Sequence, residues 1–180
     1  YGVDFHDNCS THFHPVPNTW HKMLDVLIFW AGKQVDAFRC DMAEMVPVEF
    51  WHWAIQKVKE QFPELIFIAE IYNPHQYQNY VNFGGFDYLY DKVGLYDTLK
   101  NILCYQASTA GLSHCWQVLD GLDARMLRFL ENHDEVRLAS AAFAGRAEAA
   151  IPAMLVTACM HKGPIMIYNG QEVGEPARSA

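Results

Sequence analysis

The sequence predicts an α/β fold in which short parallel strands alternate with helices. Five apolar runs are typical of strands, and stretches with apolar residues at helical spacing lie between most of them. The runs are nearly continuous in apolar residues, as expected for strands that are buried on both faces of a parallel sheet. With 180 residues, of which 51% are hydrophobic, the chain can bury the core of one domain.

Capping and breaking residues define the elements of the first half. Asn18 is a favourable N-cap, and Gly32 is a favourable residue for ending a helix. Pro47 is predicted to open the next helix and Pro63 to end it. The predicted elements are a loop over 1–17, a helix over 19–31, a strand over 34–40, a helix over 47–62 and a strand over 65–69.

The second half continues this alternation. Its predicted elements are a strand over 86–90, helices over 91–105 and 111–119, a strand over 125–130, a helix over 147–162 and a strand over 163–168. Pro152 lies near the start of its helix, where a missing N–H is tolerated. Five strands in an open arc leave two unpaired edges, which favours pairing with another chain. We therefore expect self-association through open sheet edges.

Three carboxylates stand at the C-terminal ends of predicted strands: Asp41, Glu70 and Asp134. In a parallel α/β barrel, the residues that carry chemistry project from these ends. Two carboxylates at one mouth are sufficient for nucleophilic and acid/base work on a glycosidic bond, and a third can hold the substrate. The pattern therefore indicates a class of reaction as well as a fold.

The neighbours of these carboxylates fit such roles. Side chains alternate along a strand, so Arg39 should point to the same side as Asp41 and keep it ionised. Glu70 lies between Ala69 and Ile71. Weak solvation and the nearby carboxylates should keep Glu70 protonated enough to act as an acid.

Two further side chains are candidates for binding a sugar. His133 precedes Asp134 and can donate a hydrogen bond to a sugar hydroxyl. Tyr72 is the aromatic residue nearest to Glu70, and the apolar faces of sugar rings stack on aromatic rings. Both residues are therefore predicted to contact substrate.

Four segments of the chain carry a resemblance to a known family. They are 37–41 (AFRCD), 67–71 (FIAEI), 129–134 (FLENHD) and 163–172 (GPIMIYNGQE). In this order they resemble three of the four signature segments, and a further typical string, of the alpha-amylase superfamily, glycoside hydrolase family 13. The resemblance extends over about 18–175, which is nearly the whole chain.

The resemblance implies a role for each matching residue. Asp41 matches the nucleophile, Glu70 the general acid/base and Asp134 the third carboxylate. Arg39 and His133 match the arginine beside the nucleophile and the histidine that contacts the sugar. The implied activity is retaining hydrolysis of α-1,4-linked glucans (starch, glycogen, maltooligosaccharides) by double displacement.

The resemblance also implies a partial TIM (β/α)8 barrel, with strands four to eight present and the N-terminal strands absent. Residues 1–17 would be the end of an inserted loop domain, and 18–180 the C-terminal part of the catalytic barrel. The chain thus looks like a fragment of a larger enzyme. Two other functions stay open: an α-glucan transglycosylase with the same site, and a catalytically inactive fragment that only binds carbohydrate or other chains.

The chain departs from the family pattern at three places. The first signature segment is missing, and Cys9 follows Asn8 where a histidine is expected. Ala37 replaces the family glycine. Glu44 and Met45 replace the lysine and histidine of many members. The ligands of a calcium ion in the parent enzyme are not visible here, and we predict no metal and no cofactor for this chain.

Other titratable residues have competing interpretations. Cys40 could be a thiol nucleophile, although its neighbours fit a strand interior. Asp87 and Asp91 could contact a sugar, whereas Glu131 and Glu135 are expected to be solvated or structural. Three histidines of the N-terminal loop could suggest a metal site, but they lack helical i, i+4 spacing and an ordinary loop is favoured: His6, His12 and His14.

Composition argues against several partners. The net charge of −8 argues against binding to nucleic acid or to an anionic membrane. No apolar run has the length of a membrane-spanning helix. No signal peptide is visible, and the compartment is not predicted. The five cysteines form no CxxC motif, which argues against a zinc site or a disulfide framework.

Overall fold

The computed structural model describes residues 15–119 and 121–177. Within these residues the four strands lie in the sheet order β1 (Ala37–Cys40), β2 (Ile66–Ala69), β3 (Tyr88–Tyr90) and β4 (Met126–Leu127). Their α-helices are α1 (Asn18–Ala31), α2 (Val48–Lys59), α3 (Tyr77–Asn82), α4 (Asp97–Tyr105), α5 (Ala110–Gln117) and α6 (Ile151–Cys159). The predicted α/β class with a parallel sheet is confirmed. The chain divides into two compact units, one up to Leu89 and one from Tyr90.

In the first unit, β1 and β2 pair in parallel, with Phe38 opposite Phe67 and Cys40 opposite Ala69. The ring centroids of Phe38 and Phe67 lie 5.6 Å apart. Phe67 and Ala69 are fully buried. The strands are therefore fixed by apolar contacts as well as by their ladder, and this register sets which residues meet beyond their C-terminal ends.

The boundaries of the first two helices differ slightly from the prediction. Pro17 is the N-cap residue of α1, because the chain is already helical at Asn18. Gly32 ends α1, as predicted. Pro47 is the N-cap residue of α2 instead of its first residue, and α2 ends at Lys59.

β1 is shorter than the predicted strand over 34–40. Gln34 has a φ of 63°, a left-handed conformation that does not continue a strand. The helix α3, which follows the 3-10 turn Pro74–Gln76, was not predicted. The side chain of Asn73 caps this turn by accepting a hydrogen bond from the N–H of His75. An Asn before a Pro was the local signal for this helix start.

In the second unit, one turn of π-helix (Lys92–Tyr96) precedes α4, where the sequence predicts a regular helix from 91. Asp91 accepts a hydrogen bond from the N–H of Leu95 at 2.9 Å. Gly94 permits this contact, because a Cβ at that position would lie 2.4 Å from Oδ1 of Asp91. The wide turn therefore accompanies a buried carboxylate that caps it.

The carboxylate of Asp91 also pairs with a buried cation, the guanidinium of Arg128. Arg128 is fully buried, and its guanidinium lies 2.9 Å from both Asp91 and Asp123. The ring of Trp116 lies 5.6 Å from this guanidinium. Burial, followed by the charge of Arg128, lowers the pKa of His161. A buried charge with partners at these distances keeps the polar interior of the second unit in one arrangement.

The last two predicted strands are shorter than expected. β4 is shorter than the predicted strand over 125–130, and the predicted strand over 163–168 contributes an isolated bridge between Arg128 and Ile165. Pro164 has no N–H with which to extend that ladder. Among the residues that the structure describes, the prediction of a fifth full strand is therefore wrong.

α6 begins later than predicted. The segment Ala147–Ala150 is a 3-10 turn, and the α-helix starts at Ile151. Pro152 lies in the first helical turn, as predicted. Proline is tolerated at this position because the first N–H groups of a helix have no hydrogen-bond partner within the helix.

Candidate active site

The parallel register of β1 and β2 places two candidate carboxylates at matching positions, directly after the ends of the two paired strands. Cys40 and Ala69 are paired, and the next residues along the two strands are Asp41 and Glu70. The N–H of Glu70 donates to the carbonyl of Cys40 at 3.1 Å, and the N–H of Ala43 donates to the carbonyl of Glu70 at 3.0 Å. The backbone that carries both carboxylates is therefore tied together beyond the strands.

Arg39 links the two carboxylates directly. Its Nη1 lies 2.5 Å from Oδ1 of Asp41, and its Nη2 lies 2.8 Å from Oε1 of Glu70. This arrangement confirms that Arg39 and Asp41 point to the same side of β1. The two acids differ in environment, since the side chain of Asp41 is 78% exposed and that of Glu70 is 3% exposed.

Glu70 has two further partners. The hydroxyl of Tyr72 donates to Oε1 at 2.8 Å, and the N–H of Met42 donates to Oε2 at 2.8 Å. The apolar flanks and the neighbouring carboxylates of Glu70 are visible in the sequence, whereas these two donors and the contact from Arg39 to Glu70 were not predicted. The weak solvation expected for Glu70 is confirmed, whereas its protonation as an acid stays a prediction.

The donor from Met42 depends on an unusual backbone conformation. Met42 has a φ of 40°, in the left-handed region that residues with a Cβ rarely adopt. Its N–H points to Glu70 directly after Asp41. No sequence signal predicts this contact, because nothing in a methionine side chain favours a left-handed turn. A strained residue between two functional candidates is typical of functional sites.

The segment after β1 is held by two aromatic side chains. Nε1 of Trp51 donates to the carbonyl of Ala43 at 3.0 Å. The hydroxyl of Tyr80 donates to the carbonyl of Val46 at 3.0 Å and to that of Glu44 at 3.3 Å. Burial, followed by the nearby glutamates, raises the pKa of Tyr80 to about 12, so this hydroxyl remains a donor at neutral pH.

Tyr72 was predicted to contact a sugar. Its hydroxyl donates to Glu70, while its side chain remains partly exposed. The residue therefore has a contact to a candidate catalytic acid that the sequence did not reveal. Its contact to a sugar stays a prediction.

Cys40 is excluded as a nucleophile by its surroundings. It is buried within β1. Burial raises the pKa of its thiol to about 12, although the charge of Arg39 acts in the opposite direction. The thiol therefore stays protonated at neutral pH, and a protonated thiol is a poor nucleophile.

The second unit carries the other two candidates. Nε2 of His133 lies 3.2 Å from Oδ2 of Asp134, and both side chains are about half exposed, at 54% and 55%. The side-chain oxygen of Asn132 accepts hydrogen bonds from the N–H groups of Asp134 at 2.9 Å and Glu135 at 2.8 Å. The role of Asp134 beside Asp41 and Glu70 stays a prediction.

Four other acids have structural partners. Lys59 donates to both oxygens of Asp87, at 2.7 and 2.8 Å, and Asp91 is buried against Arg128. The suggested sugar contact of Asp91 is therefore wrong, and Asp87 is engaged by a lysine. Glu131 and Glu135 are structural rather than solvated, since Glu131 is buried and both form ion pairs.

No metal-binding group is found in the described part of the chain. Across 15–119 and 121–177, no three histidine, cysteine, aspartate or glutamate side chains converge in a way that could hold a metal ion. The absence of a metal and of a cofactor stays a prediction. Three histidines of the metal hypothesis lie outside the described residues: His6, His12 and His14. No helix within those residues is both long and apolar enough to cross a bilayer.

The parallel sheet, its flanking helices and the carboxylates at strand ends define an α/β domain of the TIM-barrel enzyme class. The family model of the alpha amylase catalytic domain matches residues 14–179. The chain therefore belongs to the alpha-amylase family.

One curated relative matches almost the whole chain. Alpha-1,4-glucan:maltose-1-phosphate maltosyltransferase from Cereibacter sphaeroides is 26% identical over 175 residues, or 95% of this chain. The chain spans only 28% of the length of that relative. Its name describes a transferase, so the relatives of this chain are not limited to hydrolases.

Two solved structures have the same fold over most of this chain. A noncanonic maltogenic alpha-amylase from Thermotoga neapolitana has a TM-score of 0.71 and 28% identity, covering 93% of this chain and 38% of that one. A cyclic alpha-maltosyl-(1→6)-maltose hydrolase from Arthrobacter globiformis, in complex with maltose, has a TM-score of 0.73 and 25% identity. That match covers 90% of this chain and 37% of the hydrolase. The fold is thus that of part of a TIM-barrel amylase.

Proposed function

We propose that this protein is a retaining enzyme that hydrolyses α-1,4-linked glucans such as starch, glycogen and maltooligosaccharides. The guanidinium of Arg39, which contacts Asp41 and Glu70 at once, is the observation that carries the proposal. A retaining glycosidase needs a nucleophilic carboxylate and an acid/base close together, about 5–5.5 Å apart. Membership of the alpha-amylase family supports the same chemistry.

The proposed first step forms a covalent intermediate. A carboxylate oxygen of Asp41 bonds to the anomeric carbon while the bond from this carbon to the glycosidic oxygen breaks, and Glu70 gives its proton to that oxygen. In the second step, water gives a proton to Glu70. The oxygen of this water bonds to the anomeric carbon while the bond from that carbon to Asp41 breaks. The high exposure of Asp41 and the burial of Glu70 support this division of roles.

We propose binding roles for three other residues. Asp134 would accept hydrogen bonds from sugar hydroxyls and favour the distorted sugar of the transition state, and His133 would donate to a hydroxyl. Their half-exposed side chains support these roles. Tyr72 would contact a sugar with its partly exposed ring while its hydroxyl remains on Glu70.

The anomeric configuration of the first product tests this function. The protein in its full natural length is incubated with maltooligosaccharides, and the product is followed by NMR before it mutarotates. Two displacements at one carbon restore the original configuration, so we expect an α-configured reducing end. A β-configured first product, or no turnover of any α-1,4-glucan, would overturn the proposal.

Transfer to a second sugar is the alternative that a specific observation favours. The relative that matches 95% of this chain is named a maltosyltransferase. In that case the hydroxyl of an acceptor sugar, in place of water, gives its proton to Glu70 and bonds to the anomeric carbon. The same incubation with added maltooligosaccharide acceptor separates the two. A transferase makes longer products with few new reducing ends, whereas a hydrolase continues to make reducing ends.

A binding function without catalysis belongs to a different class. The chain spans 28% of the relative's length, and the 180 residues alone could bind carbohydrate or other chains without turnover. Any turnover by these residues rejects that alternative. Binding of maltose to them in calorimetry, with unchanged maltooligosaccharides after long incubation, supports it.

We also propose that the 180 residues alone self-associate. Large apolar side chains are exposed along α1: Met23, Val26, Phe29 and Trp30. β1 stands at one end of the described strand order, and unpaired strand edges with exposed apolar surface favour association. Light scattering should give a mass above that of a monomer. A monodisperse monomer with a cooperative thermal transition in calorimetry would contradict this proposal.

A further inference from the structure

The loop that carries His133 and Asp134 has no regular secondary structure of its own. It follows the bridge at Arg128 and runs from 129 to 138. Both side chains are about half exposed. A carboxylate that must meet a sugar within a few tenths of an ångström needs a rigid support, and its surroundings have to supply it.

The first support is a buried ion pair that closes the loop at its base. Oε2 of Glu131 accepts from Nη1 of Arg137 at 2.8 Å, and Oε1 accepts from the N–H of Leu138 at 2.7 Å. The same guanidinium donates to the carbonyls of Asn169 at 2.7 Å and Ala177 at 3.0 Å. The two ends of the loop are therefore joined to each other and to the segment that follows 168.

The second support lies directly beside Asp134. The carboxylate of Glu135 accepts from the hydroxyl of Tyr96 at 2.7 Å and lies 3.2 Å from Nζ of Lys92 and 3.5 Å from Nζ of Lys100. Two of these partners belong to the π-helical turn and one to α4. Burial raises the pKa of Glu135, but the hydrogen bond from Tyr96 and the lysine charges outweigh it, so the pKa is lowered. The carboxylate is therefore charged at neutral pH.

The loop between the supports is fixed by the side chain of Asn132. Its oxygen accepts from the N–H groups of Asp134 and Glu135, which is the geometry of an Asx turn. Asn132 is itself buried. The anchors at 131, 132 and 135 thus lie on both sides of the two exposed side chains, and they hold the backbone of Asp134 from both directions.

We infer that Glu135 and Arg137 are positioning residues that hold Asp134 in the orientation required for catalysis. They need not touch the substrate, because their contacts are made within the protein. The inference rests on the proposed function, since it assigns these residues to the action of Asp134. It also gives the π-helical turn a role, as the turn supplies Lys92 and Tyr96 to Glu135.

A double-mutant cycle tests the inference in the protein of full natural length. We expect Glu135→Gln to lower kcat on maltooligosaccharides by about 10- to 100-fold with little change in KM, because a displaced group costs transition-state stabilisation. In an Asp134→Asn background the same substitution should change kcat by less than about twofold. Arg137→Lys should likewise lower kcat in the wild-type background and have little effect in the Asp134→Asn background. The matched control is Glu148→Gln, an exposed glutamate of the same unit, which should leave kcat unchanged.

Several results would overturn the inference. Equal losses from Glu135→Gln in the wild-type and Asp134→Asn backgrounds would show a general structural role. A change in KM alone, or a loss no larger than that of the control, would do the same.

Hydrogen exchange separates failure of this inference from failure of the proposed function. If no α-glucan is turned over, the function fails, but the peptide over 131–138 still reports on the loop. Its amides should exchange about tenfold or more faster in Glu135→Gln than in wild type, because the loop loses an anchor. Exchange that is unchanged relative to Glu148→Gln would overturn the positioning role.

Discussion

Asp41 and Glu70 in the first unit share one cation, whereas Asp134 in the second unit stands on a loop whose neighbouring residues are anchored. Arg39 contacts both acids of the first unit directly. In the second unit, ion pairs of Glu131 and Glu135 anchor the loop that carries Asp134. The comparison teaches that a carboxylate can be fixed through its own partners or through those of its sequence neighbours.

The two arrangements suit different tasks. A nucleophile and an acid/base must be set relative to each other, and one guanidinium with two nitrogens can do this for Asp41 and Glu70. A group that binds sugar hydroxyls needs a side chain that the sugar can reach. Anchors on the flanking residues leave the Asp134 side chain about half exposed. Loss of either kind of support should therefore lower kcat, through the pair of acids in the first unit and through Asp134 in the second.

The largest effect is expected at the nucleophile. In the protein of full natural length, Asp41→Asn should lower the rate by at least about three orders of magnitude, because the amide cannot form the intermediate. Steady-state kinetics with maltooligosaccharides measures it. The matched control is Asp36→Asn, an exposed aspartate shortly before the other end of β1. Near-normal turnover by Asp41→Asn would move the nucleophile elsewhere.

A smaller loss is expected when the shared cation is changed. Arg39→Lys keeps the charge but replaces two nitrogens in a planar fork by one, so it cannot contact Asp41 and Glu70 in the same way. We expect kcat to fall by about 10- to 100-fold. The control is Arg146→Lys on the exposed surface. If both lysine variants retain full activity, direct bridging is not what fixes the first unit, and the comparison breaks.

The smallest effect concerns the stability that Glu135 supplies. Its pKa is lower in the folded protein than the ordinary 4.5. Such a group stabilises the fold above its ordinary pKa, and this stabilisation is lost as the pH falls through the lowered value. The difference in the free energy of unfolding between wild type and Glu135→Gln, measured by thermal unfolding, should therefore be constant at about 1 kcal/mol above about pH 6 and shrink below about pH 4.5. A difference that grows at acidic pH would reverse the assigned sign.

The sequence predicts the fold class because its signals are local. Apolar runs, Gly32 and Pro47 mark strands and helix boundaries without knowledge of distant residues. The π-helical turn Lys92–Tyr96 was missed, because it accompanies a carboxylate buried against Arg128, which lies 37 positions away in the chain. The fifth strand was overpredicted, since an apolar run does not reveal how much of a ladder forms.

The candidate site shows the same limit. The spacing of Arg39 and Asp41 predicts that both point to one side, and the structure confirms it. The donors from Tyr72 and Met42 to Glu70 were not predicted. A hydroxyl two residues away can be proposed from alternation along a strand, but a left-handed turn at a methionine has no local signal. Likewise, Arg137 acts through contacts to residues as distant as Ala177.

The most direct test of the central assignment is a search for the covalent intermediate in Glu70→Gln. A substrate with a good leaving group needs no acid in the first step, so it should still react with Asp41 in this variant. The intermediate should then accumulate, because glutamine cannot activate water. Mass spectrometry of the protease-digested variant should show a sugar adduct on the peptide that contains Asp41. An adduct on Asp134, or equal losses of rate on natural and activated substrates, would contradict the assignment of nucleophile and acid.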